Sequence, residues 1–596
     1  MEMDATSAPF ARPPRARAGR RLLLALALAL AALLRLAHWA AVRDEPFVAQ
    51  LAMDSQEYDR WAAAIAAGDW LGREPFFQAP LYPYLVAAVY RAVGRSYDAI
   101  YLLQIAAALA GLYALGRAAE EMAGGGARAR RLGALAAALG ALYAPFIFYD
   151  VQLLKESLAV DLAAALVWAL AVARRRGTLG AWLAAGALGG LLALLRENFL
   201  VAAPFLLPLA GRRGEGVRRS LLRASAFVVG LALPLVPVAA RNAALGGGFL
   251  PTTSQGGANF WIGNNPEADG TYRPLTPGRQ IPRLEREEPR RLAESTLGRT
   301  LSAAEVSRFW RARSLAWAAA EPGRFARLQA RKLALFWSGY EWPDAVDYYW
   351  MKTRSPALAA PLLEFGAVAL GALAGALLLL RARALGAFAP ALLFALGWMV
   401  STVAFFLFAR YRLPVVPALL ALAAVPLDRI VGAFAERRWR AALLGAGVVA
   451  LAWAAPHLAG YAPRAALVEY NLGRLFEEAG AAALARGHYE AALAADPAAF
   501  LPALNLGTLA ARGGAYDAAR TWFERAVAAE PRSPEAWSNL GGARLALGDF
   551  DGAAAAFARA LELDPHYPPA LGNRELLRQR RAASAGAHDP AASETD

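Results

Sequence analysis

The sequence predicts an all-α protein: a polytopic bundle of membrane helices followed by a short helical solenoid. Three observations carry that expectation. Of 596 residues, 58% are hydrophobic and only 19% charged, with mean hydropathy +0.31, so most of the apolar surface must face lipid or packed helices instead of one soluble core. About eleven apolar runs reach or approach the roughly 17–25 residues that cross about 30 Å of hydrocarbon. Near the end, three segments recur with a period of about 34 residues, as stacked helical units do.

The apolar runs lie at 22–42, 99–115, 132–148, 157–173, 179–195, 199–210, 224–240, 357–380, 385–408, 413–427 and 441–458. The first is long and no small-residue cleavage site follows it, so it reads as an uncleaved anchor. A formal charge of +15 and a pI near 10.2 could point to nucleic acid, but many of the basic residues lie between apolar spans and so speak to orientation. Lys and Arg beside short loops stay in the cytoplasm. Counting crossings from an inside N-terminus puts the groups at 12–21, 128–131, 174–176, 212–223, 381–383 and 429–440 on that side. The opposite face receives the loops 43–97 and 242–355 and everything after about residue 460. The second of these loops is arginine-rich, but long loops translocate largely regardless of charge.

The expected organisation is a basic cytoplasmic N-terminus at 1–21, a membrane domain at 22–460, repeats at 466–575 outside the cytoplasm and a disordered tail at 582–596. The tail's Ala, Ser, Asp and Glu cannot build a core. Cysteine is absent, which excludes disulfides, thiolate metal sites and a cysteine nucleophile. High Ala and Arg usage together with the repeats is compatible with a bacterial inner membrane.

In the repeats, Asn471-Leu472-Gly473, Asn505-Leu506-Gly507 and Asn539-Leu540-Gly541 align, followed by Ala485, Ala519 and Ala553. The second helix of each copy carries Tyr489, Phe523 or Phe557, then Ala492, Ala526 or Ala560, and ends at Pro497, Pro531 or Pro565. Small residues let paired helices approach closely, aromatic rings fill the gap, and proline stops each unit. Position by position this resembles the tetratricopeptide repeat family, whose stacks bind peptides or other proteins on a concave face; a spacer is the alternative role.

The first outer loop carries the chemistry-bearing residues. It reads Asp54-Ser55-Gln56-Glu57-Tyr58-Asp59, then Gly68-Asp69-Trp70, then Pro80-Leu81-Tyr82-Pro83-Tyr84. Further on come Tyr149-Asp150 and Leu154-Lys155-Glu156, Gly256 to Pro266 with Asn259, Trp261, Asn264 and Asn265, and Arg410-Tyr411-Arg412-Leu413-Pro414. In order and together, these strings resemble the GT-C membrane glycosyltransferases of glycosyltransferase family 39, relatives of protein mannosyltransferases and aminoarabinose transferases. Arg196-Glu197-Asn198 departs from the Arg-Pro-Asn of many relatives, which weakens any role for Arg196.

That resemblance implies transfer of a sugar from a polyprenyl-phosphate donor to an acceptor hydroxyl, with inversion at the anomeric carbon. The protein must then supply a base for the acceptor and cations for the departing phosphate. Asp54 is the candidate base, because a loop returning to the membrane surface can bring it to the acceptor; capping the helix that follows it is the alternative role. Glu156 and Asp150 are candidates for a second carboxylate, which in relatives shapes the site or supports a divalent metal; whether a metal is needed here stays open. Lys155, Arg410 and Arg412 are candidates to hold the donor phosphate, with interfacial snorkelling as the alternative. Tyr58, Tyr82, Asn259, Trp261, Asn264 and Asn265 are the candidates to contact substrate. The implied partners are the lipid-linked donor, the bilayer, a protein or glycan acceptor and a protein bound to the repeats, with no nucleic acid. Two competing functions remain: a non-catalytic envelope assembly scaffold and an O-antigen ligase-type enzyme, the latter disfavoured by the acidic first loop. No Walker-type loop, zinc spacing or Gly-x-Ser-x-Gly elbow occurs.

Overall fold

A computed structural model describes residues 15–212, 214–276 and 282–586. Among them the protein is helical throughout, with no strands and only two isolated bridges, Tyr143 to Leu363 and Thr271 to Leu407. Six helices are long and apolar enough to cross a membrane: Leu22–Val42, Tyr97–Met122, Glu156–Arg176, Val217–Ala244, Leu385–Val403 and Ala409–Ala435. Shorter apolar helices lie at Leu81–Val93, Leu179–Ala193, Phe199–Ala210, Phe365–Arg381 and Trp439–Ala455. It is a multi-pass membrane protein. One buried cluster runs through the bundle from Ala31 to Val425, whereas Val228, Val229, Leu233 and Val236, and Leu443, Leu444 and Leu451, stay exposed as apolar faces turned to lipid. Between helices the contact is made by small residues: a methyl group on Gly186 would overlap the Phe227 carbonyl, and one on Gly230 the Leu183 carbonyl. The helices Leu179–Ala193 and Val217–Ala244 therefore pack backbone to backbone.

Several expected spans are redrawn. The run 132–148 is two helices, Gly126–Ala141 and Ala144–Tyr149. The break is at Tyr143, extended ahead of the second helix with Pro145 in that helix's first turn, and Leu142 and Ala144 bond to the backbone of Leu363 at 2.9 Å each. The run 357–380 is interrupted: a single helical turn at Pro356–Ala359, capped by Ser355, ends before an extended stretch at Glu364, and the long helix starts at Phe365. The apolar helix Leu81–Val93 stands inside the expected first outer loop.

The long loop 242–355 holds its own helices, among them Gly256–Gly263, Pro282–Leu297, Ala303–Ala320 and Pro322–Phe336. Buried Asn242 staples it to the first outer loop: its Oδ1 accepts from the Phe76 N–H at 3.0 Å and its Nδ2 donates to the Leu250 and Thr252 carbonyls.

The tail forms three helix pairs, from Ala465–Glu478 with Ala482–Ala495 to Pro534–Ala546 with Phe550–Leu563, and a last helix Pro568–Gly586. In each pair the aromatic ring lies on the motif glycine: Tyr489 on Gly473, Phe523 on Gly507, Phe557 on Gly541. The second helices stop at Ala495, Ala529 and Leu563, each two residues before the proline. The last helix enters the segment expected to be disordered, because buried Leu577 covers Leu545 and Phe557 of the third pair. Residues 1–14 of the basic N-terminus and 587–596 of the tail lie outside the described residues.

Candidate functional site

Where the loops 43–97 and 242–355 meet the bundle, three distant segments converge on one guanidinium. Arg410, in the short turn Ala409–Arg412 that opens a late span, bonds through Nη2 to Asp54 Oδ2 at 2.8 Å and to Asp344 Oδ2 at 2.7 Å, and through Nη1 approaches Glu156 Oε1 at 3.7 Å. The side chains of Asp54 and Asp344 are 19% and 31% exposed, against 7% for Arg410 and 0% for Glu156. The two aspartates therefore face the opening, and the glutamate backs the arginine. Gln78 donates to Asp54 Oδ1 at 3.1 Å.

Arg196 forms the ion pair with Glu156 and lies 4.5 Å above the Tyr411 ring. Lys155 stands beside Glu197 at 3.9 Å. Around this node, Arg410 Nε, Arg196 Nε, Glu156 Oε2 and Gln78 Oε1 are buried without a protein hydrogen-bond partner, an arrangement that favours a polar ligand.

Met53 adopts φ +53° immediately before Asp54. A non-glycine residue held in the left-handed region stores on the order of 1–3 kcal/mol and marks an over-determined site. Its sulfur receives Arg474 Nη1 of the first repeat at 3.3 Å. Asn471 of the same helix donates to the Ala345 carbonyl at 2.8 Å. The first repeat thus touches the neighbours of both aspartates.

Electrostatics separates the two aspartates. Burial alone would push Asp54 up, but the charge and hydrogen bond of Arg410 hold its carboxyl below the ordinary value. Burial raises Asp344 to about 6, with the Asp54 and Glu156 charges adding and Arg410 opposing. Burial likewise raises Glu285 to about 7 despite its bond from Tyr272. Burial lowers Lys155, and burial together with the Asp54 and Glu156 charges holds the Tyr58 phenol well above its usual range.

Of the residues singled out in the sequence, Asp54, Glu156, Lys155 and Arg410 are brought together, with Tyr58 beside them and packed edge-on to Tyr82 at 5.3 Å. Asp54 does not cap its helix, whose N-cap is Ala52. Tyr82 itself bonds to Gln104 at 2.7 Å. Asp150 is elsewhere: Arg35 at 2.7 Å and Ser157 at 2.6 Å take its carboxylate. Arg412 donates to the carbonyls of Phe336, Ser338 and Tyr340, pairs with Glu341 at 2.9 Å and covers the Phe365 ring at 3.9 Å. It is a clamp for the loop carrying Asp344, with both terminal nitrogens engaged and only its buried Nε without a protein partner.

Asn264 is saturated, donating to the Phe260 and Ala404 carbonyls and accepting from Gln329 and Lys332. Asn265 closes its own turn through the Trp261 and Ile262 carbonyls and the Glu267 N–H. Asn259 and Trp261 are half-buried on the same short helix, Trp261 packing on Trp310 at 5.9 Å. Asp344, Gln78 and Glu285 were not singled out; Asp344 had a signal, as the acid closing the aromatic string 337–343.

Among the described residues no three His, Asp or Glu side chains are arranged to hold a metal. The carboxylates that converge here do so on Arg410, whose guanidinium fills the cation position between them. The donor set therefore does not fit a divalent ion.

A tetratricopeptide repeat model matches residues 504–568. No curated protein matches the chain. The first tetratricopeptide domain of human RPAP3 is 26% identical over 21% of this chain and 98% of its own, with a TM-score of 0.20. The oligosaccharyltransferase of Archaeoglobus fulgidus in the apo form is 16% identical over 73% of this chain and 55% of its own, with a TM-score of 0.44. AglB from the same organism, in complex with an inhibitory peptide and a dolichol-phosphate, is 14% identical over 74% and 55%, with a TM-score of 0.44. This chain spans about half the length of those archaeal proteins. The protein is thus a helical, multi-pass membrane protein with a C-terminal segment of tetratricopeptide repeats.

Proposed function

We propose that the protein is an inverting glycosyltransferase that moves a sugar from a polyprenyl-phosphate-linked donor to an acceptor hydroxyl at the outer face of a bacterial inner membrane. The reading starts from the resemblance of the first-loop and late-span strings to family 39 transferases. The observation that carries it is the meeting of Asp54 and Arg410, 356 positions apart in the chain, at a partly open site rimmed by a second aspartate.

In this reading Asp54, kept ionised by Arg410, accepts the hydroxyl proton while the acceptor oxygen bonds to the anomeric carbon from the side opposite the phosphate. The bond from that carbon to the phosphate oxygen breaks, and the electron pair leaves with the polyprenyl phosphate. Lys155 and the uncommitted Nε–H groups of Arg196 and Arg410 supply donors for its oxygens. Asp344, which titrates near 6, takes the proton onward from Asp54 to solvent. Glu156, fully buried on Arg196 and Arg410, positions the arginines. The repeats, a fold used for protein interaction, lie outside the cytoplasm and hold a partner or acceptor.

The test is transfer from a panel of radiolabelled polyprenyl-phosphate monosaccharides by the purified protein, with a membrane extract as acceptor. Label transferred with inverted anomeric configuration supports the reading. Release of no sugar across the panel would shift the assignment to the scaffold function.

A further inference from the structure

Between the repeats and the long outer loop lies a groove of about 1490 Å³, larger than the roughly 300–1,000 Å³ of a small-molecule site. Two ion pairs fasten its edges, Arg532 to Glu267 at 2.8 Å and Arg291 to Asp564 at 2.7 Å. The acids lining it are therefore engaged: Glu267 and Asp564 with those arginines, Asp496 and Glu530 with the backbone N–H groups of Ala498 and Arg532. Two lining arginines are not. Exposed Arg313 lies over Trp261 and Trp310 at 4.9 and 5.8 Å, and exposed Arg464 over Trp342 at 5.8 Å; the Arg464 backbone N–H donates to Asp347 at 3.1 Å, but neither guanidinium has a carboxylate partner among the described residues. The remaining wall is mixed: Leu292, Leu467, Phe500 and Leu501 form an apolar strip beside Thr276, Ser295, Thr296 and His566.

The groove is tied to the candidate site by one helix. Near the start of Pro282–Leu297, Arg286 pairs with Glu57 at 3.6 Å, one turn beyond Asp54. Further along the same helix, Arg291 and Leu292 line the groove, about 8–9 Å away at 1.5 Å per residue.

We propose that this groove binds an extended polypeptide segment bearing carboxylates and apolar side chains. The free guanidiniums take the carboxylates in charge-assisted hydrogen bonds, and the leucine and phenylalanine wall takes side chains that a glycan does not have. Resting on the transferase reading, this makes the acceptor a polypeptide, with a hydroxyl side chain delivered past the end of the helix to Asp54.

The test uses the full chain in lipid nanodiscs and the fluorescence anisotropy of a short labelled peptide in which aspartate and leucine flank a serine. Saturable binding is expected, weakened about tenfold or more by Arg313→Glu with Arg464→Glu. The same peptide with lysine for aspartate should bind the wild type about tenfold more weakly and regain affinity on the double variant, a gain that an unfolded protein cannot give. Equal binding of both peptides, no saturable binding, or displacement of the peptide by a neutral oligosaccharide would overturn the proposal. Peptide binding without transfer from any donor would sink the transferase reading and leave the groove; transfer to a small hydroxyl acceptor without peptide binding would sink the groove alone.

Discussion

At the residue scale, the weight falls on Arg410. Its guanidinium stands among Asp54, Asp344 and Glu156 with little exposure to water, so removing it leaves carboxylates uncompensated at the same place. Arg410→Ala should cost about 3–5 kcal/mol, read as a lowered thermal midpoint in detergent, and Arg410→Lys should recover only part because an ammonium on the aspartates has no second nitrogen to turn toward Glu156. Asp344 gives a pH signature of opposite sign to an ordinary salt-bridged acid. Its folded value near 6 lies above the ordinary 3.8, so the folded state binds the proton more tightly and Asp344's contribution to stability declines as pH rises from about 4 through 6. Relative to Asp344→Asn, the wild type should lose roughly 1–2 kcal/mol across that window, allowing for screening at its partly exposed carboxylate. Parallel midpoints for the two proteins from pH 4 to 7 would contradict this. Asp54 and Arg410 were legible in the sequence because each stands in a local string. Arg412 looked equivalent, yet two residues along a helical turn is about 200° of rotation. Only one of the pair can point at the aspartates, and the other clamps the loop 336–341.

At the scale of elements, spacing carries most of the information. The repeat pairs came out as expected because glycine and ring must meet at fixed positions. A methyl group on Gly507 would stand 2.5 Å from Phe523 Cε1. Gly507→Ala should therefore destabilise the repeats by about 1–3 kcal/mol through overpacking, visible as faster amide exchange in Phe500–Arg512 and Tyr516–Ala529 while the membrane helices stay protected. Span edges were less legible. Hydropathy does not register the backbone pairing of Leu142 and Ala144 with Leu363, nor the extended stretch before Phe365, because those breaks are made by partners remote in sequence. The Gly-Asn-Asn turn read as a substrate surface and is instead a joint: Gly263 lets the chain pass against Phe405, and Asn264 ties that contact to Lys332.

At the scale of the molecule, the bundle, the outer loops and the repeats make one assembly around the Asp54 node. The first repeat packs Val468, Leu472 and Leu475 against Phe47 and Trp350, and holds Met53 and Ala345 beside the two aspartates. Nothing in the sequence of either part announces that contact, since each face is also a plausible surface on its own. The proposed function needs the repeats and the node outside the cytoplasm, the side the arginine distribution predicts for them. The chain has no cysteine, so single replacements read this directly: a membrane-impermeant maleimide should label exposed Asp517→Cys in intact spheroplasts and reach exposed Ala123→Cys only after lysis. The opposite pattern would invert the topology. The most direct test of the central claim is sugar transfer by Asp54→Asn beside the wild type at matched thermal stability. Loss of about a hundredfold or more, the scale of a missing general base, is what the account predicts; transfer at the wild-type rate would remove Asp54 from the chemistry and with it the assignment of this site.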